Sequence, residues 1–147
     1  MSDLFDPVDI RHLVLRNRVV TPPMTTRLGA EDGSVTEELM AYYEARARGG
    51  VGLLTVELSS PHPGGRHRRR EVGVYDDRFV PGLRQLVGRI QRHGTKISIQ
   101  LGHAGSHARP DVTGMPAIAP SNVPHPVQEG DFQVVTPRPL SLNEIQD

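Results

Sequence analysis

The stretch GSVTEELMAYYEARARGGVGLLTVEL, residues 33–58, runs from a helix start to a strand end without interruption. Ser34 stands three residues ahead of Glu37 as one half of a capping box, and Thr36 is a second candidate N-cap. Leu39, Met40, Tyr43 and Ala47 then recur on one helical face, and Gly49-Gly50 is a C-cap signal, so the spacing predicts about three turns of helix. Residues 51–58, VGLLTVEL, are almost continuously apolar or β-branched. That composition suits a strand covered on both faces, as parallel sheets require.

The same grammar repeats downstream. In DRFVPGLRQLVGRIQRHG, residues 77–94, Asp77 is the cap, Pro81 sits in the first turn, and Gly94 closes the helix. Val80, Leu83, Val87 and Ile90 supply the helical period, and the strand Lys96–Leu101 follows at once. Upstream, Val8–Ile10 and Leu13–Leu15 read as a small hairpin. A strand at Val19 and Val20 is then stopped by Pro22-Pro23, since consecutive prolines cannot continue a central ladder.

Strand, helix, strand, helix, strand predicts an α/β fold with a parallel sheet. Its helix-to-strand connections are short and its strand-to-helix connections long. That asymmetry matches a (β/α)8 TIM barrel, in which the loops after the strands build the site. A doubly wound sheet satisfies the same element order.

Residues 109–139 carry seven prolines and no helical period, which predicts an ordered loop or cap with a strand at 132–135. Ser141 and Glu144 form a second capping box, and the chain reaches Asp147 soon after that helix has started. Residues 1–147 are therefore expected to be the N-terminal portion of a longer, truncated barrel; the alternative is a frayed terminal turn.

Composition narrows the partners. The 147 residues have zero formal net charge, so no global field draws the chain to nucleic acid or an anionic membrane surface. The absence of cysteine removes disulfides, thiolate nucleophiles and Cys-ligated metals within these residues and makes a reducing, cytoplasmic setting the expectation. MSDLFDPVDI lacks the basic start and apolar core of a signal peptide, and no run approaches the ~18 apolar residues of a membrane span. A small-molecule substrate is the partner that remains, and nothing in the sequence fixes an oligomeric state.

KISIQLGHAGSHARP, residues 96–110, holds the candidate site. His103 and His107 have the i, i+4 spacing of half a zinc motif, but Gly102, Gly105 and Pro110 oppose a helix and the general-base Glu is missing, so no metal site is assigned. Alternation places Ser98 and Gln100 opposite Ile97, Ile99 and Leu101. Gln100 then points into the barrel near its mouth, where a carboxamide suits the amide-like edge of a heterocycle; a glutamine satisfied by neighbouring loops is the alternative. Pro23, Met24 and Thr25 end the first strand at the same mouth. GGRHRRRE, residues 64–71, reads either as a phosphate site or as a solvated basic loop balanced by Glu71, Asp76 and Asp77. Neither G-x-G-x-x-G opening a helix nor a Walker A motif is present.

LFDPVDIRHLVLRNRVVTPPMTT, RARGGVGLLTVELSSPHPGGR, ISIQLGHAGSHARP, APSNVP and PRPLSLNEIQ occur in this order with natural spacing. Together they resemble the N-terminal part of the old yellow enzyme family of FMN-dependent oxidoreductases. The resemblance implies a (β/α)8 barrel whose bottom is closed by an N-terminal hairpin. It also implies NAD(P)H as reductant of FMN, and an activated alkene such as an enone or enoyl thioester as hydride acceptor. By the same resemblance Pro23, Met24 and Thr25 face the flavin from the first strand end, Leu58 from the second, and Gln100 meets its pyrimidine edge. Three positions depart from the family: Leu58 stands where a small residue is usual, Ser106 replaces a common arginine, and Thr25 stands where one branch has a redox-tuning cysteine. The family's catalytic His/Asn or His/His pair and tyrosine fall beyond Asp147, so no catalytic residue is assigned. A catalytically inactive flavin-binding or interaction fragment is the alternative function.

Overall fold

A computed structural model of the chain describes residues 3–126 and 134–146. β1 (Val8–Ile10) and β2 (Leu13–Leu15) form the expected antiparallel hairpin, with Val8 opposite Leu15. β3 (Val20–Thr21), α1 (Glu37–Arg48), β4 (Leu53–Ser59), α2 (Val80–Gln91) and β5 (Lys96–Leu101) follow. The three strands make one parallel sheet in the order β3-β4-β5, and its β5 edge has no further partner strand among the described residues.

Thr36 is the cap of α1, its hydroxyl accepting from Leu39 N–H at 3.1 Å, while Glu37 pairs with Arg89 of α2. Asp76, and not Asp77, caps the next helical segment: its Oδ1 accepts from Arg78 N–H at 2.9 Å, and a 3-10 turn over Asp77–Phe79 leads into α2. The sequence signal was one residue out because the extra tight turn moves the cap back. Both helices end alike, with a glycine in the left-handed region, Gly50 at φ +93° and Gly94 at φ +73°.

Both helices pack side by side on the same face of the sheet. The core between them consists of Leu39, Tyr43 and Ala47 from α1, Leu54 and Val56 from β4, and Leu86 and Ile90 from α2. Val72, from the loop after β4, completes it. On the other sheet face Thr55 and Ser98 join their hydroxyls at 2.9 Å across β4 and β5. β4 is therefore fully buried on one face only, where the composition predicted both: Leu53 and Thr55 are half-buried. Ile97 and Ile99 lean on the core as alternation requires, but Leu101 is 58% exposed at the end of an apolar groove beside α2.

A bulge breaks the β4–β5 register between Val56 and Leu58. Val56 and Glu57 are consecutively buried, and Leu58 is thereby turned to the opposite face, in register with Gln100. The proline-rich region contains α3 (Pro110–Thr113) and two short parallel strands, β6 (Ile118–Ala119) and β7 (Arg138–Pro139). Of the strand expected at 132–135, residues 132 and 133 lie outside the described residues, and Val134 and Val135 join no strand. α4 (Leu142–Gln146) starts on the predicted capping box, with Ser141 N–H donating to Glu144 Oε2 at 2.9 Å and Glu144 N–H to Ser141 Oγ at 3.3 Å.

Candidate functional site

The C-terminal ends of the three parallel strands lie side by side. From β3 the chain leaves through Pro22 and Pro23, which cannot donate to a ladder, into Met24 and Thr25. Pro23 is half-buried, Met24 is 56% exposed and Thr25 is exposed. From β4 comes Leu58, half-buried, and from β5 comes Gln100, exposed. Leu58 and Gln100 are register partners, and Thr25 and Leu58 line one small void, so all three strand ends contribute. Leu58 reaches across to Gly102: a Cβ there would collide with Leu58 Cδ1, so the glycine makes room for the large residue at position 58. The side chains of Thr25 and Gln100 take no hydrogen bond from the described residues.

Behind this ledge lies a polar group that sequence reading did not single out. Glu57 is buried, and its Oε2 accepts from the N–H of Thr26, the residue next to Thr25. Its own N–H donates to Tyr43 Oη at 2.7 Å, and burial pushes the Tyr43 phenol above its usual range. Burial is also the main cause raising the Glu57 carboxyl above the ordinary carboxylate range, and the nearby charge of Glu71 acts in the same direction. The signal was present: one acid inside the apolar run 51–58 must be paired or neutral if that run is buried.

His103 and His107 shape the loop after β5, where a 3-10 turn covers Gly105–His107. His103 Nδ1 accepts from Gly105 N–H at 3.0 Å, and its ring lies 5.7 Å from that of His62, over Gly65. Burial, and secondarily His62, holds its pKa below the usual imidazole value. His107 stacks on His125 at 4.1 Å. Among the described residues no group of three or more His, Cys, Asp or Glu side chains is placed to hold a metal ion.

The basic run resolves residue by residue. Arg66 is 5% exposed and its Nη2 donates to the Glu31 carbonyl at 3.0 Å. Arg70 Nε donates to the Gly29 carbonyl at 2.8 Å, and its Nη2 lies 3.5 Å from Glu38. Arg69 lies 3.5 Å from Asp111. Of the acids expected to balance the run, Glu71 does meet one of its members, His67, at 2.8 Å, whereas Asp76 is a cap. Much of this run staples the loops around the strand ends.

No helix among the described residues is long and apolar enough to cross a membrane. The profile of the NADH:flavin oxidoreductase / NADH oxidase family matches residues 3–147. An NADH oxidase of Thermoanaerobacter brockii is 41% identical over 99% of this chain, which spans 22% of that protein. An NADPH dehydrogenase of Bacillus subtilis is 36% identical over 98% of the chain, which spans 40% of it. The old yellow enzyme homologue of Zymomonas mobilis superposes with a TM-score of 0.86 at 28% identity, covering 99% of this chain and 41% of that structure. The fold is thus the N-terminal part of an old yellow enzyme (β/α)8 barrel, present here as an open three-stranded sheet. The chain belongs to the NADH:flavin oxidoreductase / NADH oxidase family.

Proposed function

We propose that this chain supplies part of the flavin site of an FMN-dependent NAD(P)H oxidoreductase that reduces activated alkenes, such as enones or enoyl thioesters. The observation that carries the reading is the meeting of three strand ends at one edge, with Thr25, Leu58 and Gln100 on it and the polar side chains uncommitted. A flavin supplies hydride transfer, and the protein supplies orientation and electrostatics.

These residues fit such a ring system. Gln100 offers a donor and an acceptor in one plane, which matches the alternating groups of a pyrimidine edge. Pro23 and Met24 give an apolar surface at the strand exit, and the exposed Thr25 hydroxyl adds a donor beside it. Leu58 is larger than the family's usual residue and brings apolar contact to the middle strand end, with Gly102 yielding the space. No catalytic residue is assigned in this chain; a small-molecule alkene as partner and a cytoplasmic setting belong to the same reading.

Titration of FMN into the purified chain, followed by quenching of flavin fluorescence, tests this. Binding is expected, and Gln100→Ala should weaken it by about tenfold, the equivalent of ~1.4 kcal/mol. Absence of quenching, or unchanged affinity in both Gln100→Ala and Thr25→Val, would overturn the assignment. NADPH consumption dependent on an enone separates an active chain from a flavin-binding fragment.

A further inference from the structure

Glu57 is the one acid in the apolar run of β4, and it is 2% exposed. Oε2 is satisfied by Thr26 N–H, whereas Oε1 finds no hydrogen-bond partner among the described residues. Glu71, 6% exposed, repeats the pattern. Its Oε2 accepts from His67 N–H at 3.1 Å and lies 2.8 Å from His67 Nδ1, and its Oε1 is equally without a partner.

Both carboxyl groups line one void of about 10 Å³, at the lower limit of what a single water needs. The charged and titratable groups around Glu57 are Tyr43 from α1, Arg27 from the β3 exit, and Glu71, His67, Arg68 and Arg69 from the loop after β4. Two ionised carboxylates lining one void this small would repel, each with a buried oxygen left over. A proton on Glu57 removes the repulsion and the cost of its own bare charged oxygen.

We propose that Glu57 is a positioning residue that works in its protonated form, its Oε2 fixing Thr26 and so setting Met24 and Thr25 at the strand exit. The proton is independent of any ligand. Only what the exit faces rests on the flavin reading.

The test follows the Glu57 side-chain carboxyl carbon and the Thr25 and Thr26 amides by NMR through a pH titration of the wild-type chain without cofactor, with Glu57→Gln as a neutral isostere. Glu57 should titrate above the ordinary glutamate range, and both amides should move with the same midpoint. In Glu57→Gln they should stay at their low-pH positions throughout. A Glu57 midpoint at or below the ordinary value, or amides that ignore its titration, would overturn the proposal.

Riboflavin, which carries no titrating phosphate, then probes the consequence. Its dissociation constant should rise by about tenfold per pH unit above the midpoint in wild type and stay flat in Glu57→Gln. Binding that ignores the titration would overturn the positioning role. If no flavin binds at all, the flavin reading fails, and the amide titration still decides the proposal.

Discussion

Leu58 and Gly102 share one space between two strand ends, and each explains the other. Gly102→Ala should lower the unfolding free energy by about 1 kcal/mol or less, since its methyl meets the outer end of the half-buried Leu58 side chain, which can turn aside. Leu58→Ala should relieve much of that cost in the double variant, and urea unfolding of the four proteins measures the coupling. At this scale strand alternation made Gln100 legible, and the proline stop made Pro23, Met24 and Thr25 legible. Glu57 was legible only as one acid inside an apolar run. Its role depends on the bulge and on Glu71, fourteen positions downstream and beyond the strand, and no local period encodes either.

Arg16, just after the hairpin, ties the ends of elements together. Its guanidinium donates to the His93 carbonyl at 2.7 Å, the Val51 carbonyl at 3.1 Å and Thr95 Oγ1 at 3.1 Å, with the Ala47 carbonyl of α1 at 3.4 Å. One planar fork thus gathers the last turns of both helices and the starts of the strands that follow. Arg16→Lys should cost about 1.5–3 kcal/mol, because an ammonium cannot span that set, whereas Thr36→Ala should cost about 0.5–2 kcal/mol through its lost cap. Denaturant midpoints check the ranking. The helices and β5 were legible because caps, glycines and apolar spacing agree over a dozen residues or fewer. β6 and β7 were not, since two-residue strands have no period to read.

For the molecule as a whole, pH acts through two opposed sets of carboxyls. Ser34 lowers Asp32, the His93 and Arg89 side chains lower Glu44, Arg109 lowers Asp111, and Arg138 takes Glu144 down to about 2. Their contribution is present above the ordinary carboxylate range and is lost as pH falls through the folded values. Glu57, raised chiefly by burial, does the reverse: its contribution is full below the ordinary glutamate value and is lost as pH rises through the folded one. Urea midpoints should therefore pass through a maximum in mildly acidic solution, and Glu57→Gln should flatten the limb on the alkaline side alone. The barrel class was legible from the unequal loop lengths, because that asymmetry is a property of the whole chain path. The exposed end of the groove beside α2 was not, since what covers an apolar face is decided by neighbours and not by the face. The bulge in β4 has one more consequence, for variation. An odd residue at Glu57 decouples the parity of the strand's outer end from that of its body, so position 58 can change size without a core residue having to follow. Deleting Glu57 would remove the bulge and leave Leu58 beside Gln100 in plain alternation, at the cost of the carboxyl that holds Thr26, whereas substituting Leu58 need not disturb the helices.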